Sequence, residues 1–235
     1  MRRRDFVAGG LAVGVAPGSR GAFSSAAWGA TPPAVLELFT SQGCSSCPPA
    51  DALLGQLARE PGIIALAWHV DYWDGLGWHD PYSSPAATER QRRYAERLHD
   101  EVYTPALVVN GARMVVGSDG AAVRAAIGAA GGFPVEVALR RDGGAVSAEI
   151  GPVGQNVSAL LATYDPQHAT AIGTGENGGR RLIEYRIVRE VTPLGSWDGA
   201  ARRLSLPPIV AGRGVVLLLQ TDDLLVRGAA DLPAA

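Results

Sequence analysis

The chain of 235 residues is 47% hydrophobic and 19% charged. That is enough apolar material for one large core or two small ones, and too little charge for a disordered polymer. A net charge of −2 supplies no basic field to hold nucleic acid, and all 21 basic residues are arginine, which excludes a lysine nucleophile.

Residues 1–27 read as an export signal rather than as part of a fold. Arg2-Arg3-Arg4 precede a short Gly/Ala-rich apolar stretch over 6–16, and Ser25-Ala26-Ala27 offer a cleavage site. The stretch is shorter than the roughly 20 residues that span a bilayer, so no stable membrane span is expected after its removal. Arg3-Arg4-Asp5-Phe6-Val7 has the pattern of a twin-arginine export motif; an ordinary secretory signal with a chance arginine pair is the other reading. Both lead to a periplasmic or secreted protein.

Residues 35–40 (VLELFT) predict a buried strand, and Ser41-Gln42-Gly43 a turn. Cys44 is expected to open a helix, with Pro48 and Pro49 in its first turn and Ala50, Leu53, Leu54, Leu57 and Ala58 on its apolar face. A second buried strand covers 63–70 (IIALAWHV), followed by a polar and aromatic loop over 71–81. A helix over 84–98 is capped at Ser83 or Ser84 before Pro85. Residues 106–109 and 114–116 flank Asn110-Gly111, a strong hairpin signal, and Asp119 caps a helix over 121–130.

The order strand, helix, strand, helix, hairpin, helix, with Cys-X-X-Cys at the first strand-to-helix junction, is that of a thioredoxin fold. From Gly131-Gly132-Phe133-Pro134 onward the pattern changes to period-two strands, at 135–139, 145–150, 158–164, 181–191 and 215–220. The expected fold class is therefore α/β: a thioredoxin-like domain over 33–131, followed by a small antiparallel β domain over 133–228.

Only two cysteines occur, Cys44 and Cys47, so they can bond only each other or a partner. A thiol at a helix N-terminus faces unpaired N–H groups and the positive dipole end, which favours the nucleophilic thiolate. Cys47, about one turn on, can resolve a mixed disulfide. An inert disulfide across the turn is the bland alternative. Thr104-Pro105 directly precedes the third strand, where a cis proline is expected to lie against the cysteine pair and nearby backbone to dock a substrate strand. Glu37 could accept the proton of Cys47, or point to solvent or pair with an arginine. His69 and Asp71 share a strand face by period two and could pair or share a metal. The metal reading would use Cys44, Cys47 and His69; otherwise neither metal nor cofactor is expected.

The runs ELFTSQGCSSCPPAD, HVDYWDGLGWHDPYSSPA, VYTPALVVNG, VVGSD, GTGENGGR and LGSWDG together resemble the secreted bacterial family called domain of unknown function 1223. The likeness extends from about residue 34 to 200. It implies a thioredoxin-like domain with a β-rich extension and little about substrate. Relative to typical thioredoxins, Gly43 replaces the tryptophan before the first cysteine, and Ser45-Ser46 replace Gly-Pro.

Three functions compete on these residues. The first is a thiol–disulfide oxidoreductase acting on an exported thiol- or disulfide-containing protein, or on a small thiol. The second is a copper or zinc carrier. The third is a binding module that uses the glycine-rich loop over 173–180.

Overall fold

Ala34–Thr40 (AVLELFT) forms β1 with every residue buried. A strand covered on both faces has no polar side to present, so its apolar character is nearly continuous. The structure is a computed structural model that describes residues 34–235, so the export signal read over residues 1–27 lies outside the described residues. β1 is followed by α1 (Pro48–Leu57), β2 (Ile63–His69), α2 (Pro85–Leu98), β3 (Ala106–Val109), β4 (Arg113–Val116) and α3 (Gly120–Ala129). β1 and β2 run parallel, β3 antiparallel to β1, and β4 antiparallel to β3.

Local chemistry sets the joints. The Ser84 side chain accepts from the Ala87 N–H, with Pro85 at the start of α2, and Asp119 accepts from Ala121 and Ala122 at the start of α3. In the β3–β4 turn Asn110 and Gly111 have φ of 52° and 67°, the left-handed pair that a tight hairpin requires.

Alternate side chains of β1 serve opposite faces of the sheet. Leu36 and Leu38 pack with Ala50, Leu54 and Leu57 of α1 and with Val123 and Ala126 of α3. Val35 and Phe39 pack with Tyr94 and Ala95 of α2. The cysteine-bearing end of α1 and the helix α2 therefore sit across the sheet from one another.

The later elements are β5 (Val137–Asp142), β6 (Ala145–Ile150), β7 (Val153–Ala171), β8 (Arg181–Gly199), β9 (Arg202–Ser205), β10 (Gly214–Gln220) and β11 (Val226–Leu232). The expected seam near residue 132 does not divide the main sheet. Its eight strands run β11-β10-β7-β8-β2-β1-β3-β4, and only β5, β6 and β9 form a second sheet. A self-contained antiparallel unit over 133–228 is thus corrected: its longest strands extend the first sheet, and the last runs to Leu232. The reason lies in β10, all seven residues of which are buried. Val216 and Leu218 join the core under α2, whereas Val215, Leu217 and Leu219 join the core under the small sheet. The result is a mixed α/β structure on one large mixed sheet. Among the described residues, no helix is long and apolar enough to cross a membrane.

Candidate functional site

Cys44 and Cys47 form a disulfide with Cα atoms 5.5 Å apart. Both are fully buried, while Ser45 and Ser46 between them are exposed. α1 begins at Pro48 rather than at Cys44, with Cys47 as its N-cap. The Cys47 carbonyl accepts from the N–H groups of Ala50 and Asp51, at 2.8 and 3.1 Å, and the two prolines between occupy positions whose N–H has no partner within the helix. Cys44 lies in the preceding turn, where its carbonyl accepts from the Cys47 N–H at 3.3 Å. The dipole end thus points at Cys47 and, one turn before it, at Cys44. The Ser46 hydroxyl lies 3.3 Å from Cys44 Sγ.

The Thr104–Pro105 peptide is cis, as the sequence led one to expect. Thr104 Oγ1 accepts from Trp73 Nε1 at 2.9 Å. A Cβ placed on Gly43 would stand 3.0 Å from Trp73 Cβ, so the small residue before Cys44 makes room for a tryptophan from another loop. Gly117 lies among Leu38, Ala50 and Pro105, which brings the proline beside the first turn of α1.

The tip joining β7 to β8 closes over the cysteine turn. Asn177, 1% exposed, donates from Nδ2 to the carbonyls of Gln42 and Cys44 at 2.9 and 3.0 Å. Glu176 accepts from the Ser45 N–H at 3.1 Å. Thr174 donates to the Gly77 carbonyl, and Trp78 packs against Gly173 and Gly175. The glycine-rich segment is therefore built against the cysteines, and the aromatic loop over 71–81 supports it from one side.

Beneath the tip, Gln42 is a hub. Its side chain donates to Glu184 at 2.7 Å and Thr170 at 3.0 Å and accepts from Trp78 Nε1 at 3.0 Å. Its N–H donates to Asp80 at 2.8 Å. Asp80 in turn holds His69 Nδ1 at 2.7 Å, both side chains being fully buried. Asp51, one turn after Cys47 on α1, accepts from Thr40 Oγ1 at 2.8 Å and is 4% exposed. Burial, followed by the neighbouring Glu184, pushes the Asp51 carboxyl up to about 7. Burial also raises Glu184. Burial works against a charged His69, but the charge and hydrogen bond of Asp80 outweigh it and push the imidazole up to about 9. Burial likewise opposes a charged Asp80, yet His69 holds it below the ordinary carboxylate range.

Glu37 is not brought to the cysteines. It faces α2, where Arg90 holds it through two bonds of 2.6 and 2.9 Å and the Tyr94 hydroxyl donates at 2.5 Å. The arginine alternative is the one found, because Glu37 shares its strand face with Val35 and Phe39. The pairing of His69 with Asp71 is also corrected. β2 ends at His69 and the chain turns, so Asp71 meets Thr88 of α2 at 2.5 Å, leaving His69 to Asp80 eleven residues on. Among the described residues, no group of three or more His, Cys, Asp or Glu is arranged to hold a metal ion, Cys44, Cys47 and His69 included. Asp51 was within reach of sequence reasoning, since it follows Cys47 by one helical turn. Asn177 falls in the glycine-rich loop over 173–180 that the sequence marks as a candidate binding site, whereas Gln42 and Glu184 carry no such signal.

A family model described as "Protein of unknown function (DUF1223)" matches residues 35–220. No curated protein matches the chain. Among solved structures, protein AGR_C_4864 from Agrobacterium tumefaciens is similar at 31% identity and a TM-score of 0.78, covering 87% of this chain and 96% of that one. HBP35 of Porphyromonas gingivalis is similar at 13% identity and a TM-score of 0.56, over 87% of this chain and 76% of that one, a likeness of fold alone.

Proposed function

Because the chain belongs to the DUF1223 family, whose function is unknown, we propose its activity from its own residues: thiol–disulfide exchange by an exported, thioredoxin-like protein. The observation that carries this reading is the Cys44–Cys47 disulfide in the turn before α1, with Pro105 beside the first turn of that helix and a buried carboxyl at Asp51 one turn after Cys47. The thioredoxin-like reading is supported by the segment order β2-β1-β3-β4, with α1 and α3 on one face and α2 on the other. The basic start of the chain supports action in the periplasm or outside the cell, on an exported thiol- or disulfide-containing protein or a small thiol.

Cys44 is the nucleophile and Cys47 the resolving thiol. In the oxidising direction a substrate thiolate attacks Cys44 Sγ and bonds to it. The Cys44–Cys47 bond breaks, and its electron pair leaves on Cys47, which takes a proton from Asp51. A second substrate thiol gives its proton to solvent and attacks the substrate sulfur of the mixed disulfide. The substrate disulfide forms and Cys44 departs as thiolate, so the substrate loses two electrons and the cysteine pair gains them. Reduction of a substrate disulfide is the reverse path. Both cysteines are buried, so the β7–β8 tip must lift to admit a substrate.

Cys44→Ser should abolish turnover of a model dithiol or disulfide, and Cys47→Ser should accumulate mixed disulfides detectable by intact-mass spectrometry. Unchanged turnover in both variants would sink the proposal.

A further inference from the structure

Three segments crowd the cysteine turn, and two of them are locked into the core. Trp73 stands over Gly43 and packs on the core under α2, and Pro105 is buried just before β3. The β7–β8 tip, residues 173–180, is different: seven of its eight residues are exposed and Asn177 alone is buried. The tip also holds its own shape. The Gly178 N–H donates to the Gly175 carbonyl at 3.0 Å, that of Gly179 to Ile172 at 2.8 Å, and that of Ile172 to Arg180 at 2.9 Å. None of these bonds has to break for the tip to swing from the ends of β7 and β8.

What fastens the tip is a clasp on one peptide group. Asn177 Nδ2 donates to the Cys44 carbonyl at 3.0 Å and to the Gln42 carbonyl at 2.9 Å, while Glu176 accepts from the Ser45 N–H at 3.1 Å. The Cys44 carbonyl and the Ser45 N–H belong to the same trans peptide and point opposite ways, so the tip grips that peptide on both edges. Arg180 donates to Asn177 Oδ1 at 2.6 Å, which turns the amide so that its NH2 faces the two carbonyls. Thr174, bonded to the Gly77 carbonyl, adds a further fastening on the aromatic loop.

We propose that Asn177 is the latch of an access gate: attack on the Cys44–Cys47 disulfide requires its carboxamide to release the carbonyls of Gln42 and Cys44. The gate regulates the site of the exchange reading above and rests on that reading for its purpose. Asn177 acts through the backbone of the turn, so it is a positioning residue rather than a catalytic one. Once the tip lifts, water takes over the freed peptide groups, so opening costs only the net worth of a few hydrogen bonds. Such an opening is local, and the sheet beneath stays closed. It admits every thiol alike, ahead of any selection that the exposed surface makes.

The test is the rate at which dithiothreitol reduces the disulfide of the intact protein at pH 8, in wild type, Asn177→Ala and Asn177→Asp. Asn177→Ala should react about tenfold faster, the worth of two neutral hydrogen bonds of modest net strength. Asn177→Asp keeps the shape but turns a carboxylate oxygen on the two carbonyls, so it should be faster still. A space-filling role predicts the opposite order, because Asp fills the place of Asn. That order, or both rates within about twofold of wild type, overturns the proposal. Hydrogen exchange of the Ser45 N–H in the oxidised protein, read by NMR, reports the same opening. Its protection in Asn177→Ala should fall by the factor by which the reduction rate rises, and an unchanged protection overturns the latch. The wild type alone guards against variants that do not fold: Ser45 should be less protected than the amides of β1, and equal protection would mean that the tip opens only with the whole molecule, which overturns the gate. A wild type that turns over no dithiol substrate, yet shows the acceleration in Asn177→Asp, overturns the exchange reading and leaves the gate standing. Turnover with reduction rates indifferent to Asn177 does the reverse.

Discussion

A buried histidine kept charged by a single aspartate makes stability depend on pH in a definite direction. His69 titrates near 9 when folded against 6.5 when free. Its contribution is therefore complete below pH 6.5 and is lost as pH rises toward 9. Asp51 acts in the same direction over a lower window. Its carboxyl binds a proton more tightly in the folded chain, so stability declines from about pH 4 to about 7 as pH rises. Asp80, held low, opposes only below its ordinary value of 3.8. For these groups the melting temperature of the oxidised protein should fall steadily from mildly acid pH to pH 9. In His69→Gln the part of that fall between 6.5 and 9 should vanish; calorimetry across the range checks both, and an unchanged slope in the variant would refute the assignment.

At the scale of elements, α1 is fixed by where it can touch β8. A Cβ on Gly55 would stand 2.3 Å from the ring of Tyr185, so the helix approaches the strand only because this residue has no side chain. Arg59, one turn further, lies 5.9 Å from the same ring and helps to hold it in place. Gly55→Ala gains about 1 kcal/mol of helix propensity and loses about 1–3 kcal/mol to overpacking. The net expectation is a destabilisation of up to about 2 kcal/mol in urea unfolding, shrinking in a Tyr185→Ala background because the ring that clashes is gone. Equal penalties in the two backgrounds would show that Tyr185 is not the obstacle. Gly111 has a different duty: at φ 67° its Cβ would also strike the Leu224 carbonyl at 2.1 Å, so the hairpin turn doubles as the seat of the β10–β11 connection.

For the whole molecule, the shared sheet makes the two halves of the chain interdependent. The core under α2 draws Phe39, Leu66 and Trp68 from the first half and Tyr164, Val216, Leu218 and Val226 from the second. Gln220 of β10 accepts from Arg90 at 2.9 Å, and Arg186 of β8 donates to the Ala65 carbonyl at 2.8 Å. A fragment ending at residue 132 would bare the outer edge of β2 and half of that core, leaving Arg90 with one partner fewer. It should not unfold cooperatively as a monomer, as circular dichroism in a urea titration would reveal. A sharp transition with a native-like midpoint would show that the first half stands alone.

Much of this architecture is written in short stretches of the chain. The paired cysteines, Pro48 and Pro49, the caps at Ser84 and Asp119, and the Asn110-Gly111 turn are all legible in the sequence, because each acts through backbone chemistry within three or four residues. The cis bond at Thr104–Pro105 is expected only through the likeness of the element order to a thioredoxin fold, since a proline before a strand is ordinarily trans. The continuity of the sheet past residue 132 is hidden, since alternation reports which face a side chain takes but not which strand lies alongside. Asp51 is half legible: helical spacing puts it below Cys47, but its high proton affinity comes from burial and from Glu184, 133 positions away by sequence number. The partners of Glu37 and His69 likewise depend on which strand face meets α2 and where the loop after β2 returns. Desolvation, the force that sets the chemistry of this site, exists only once distant segments have closed around it, so the tertiary structure alone decided it.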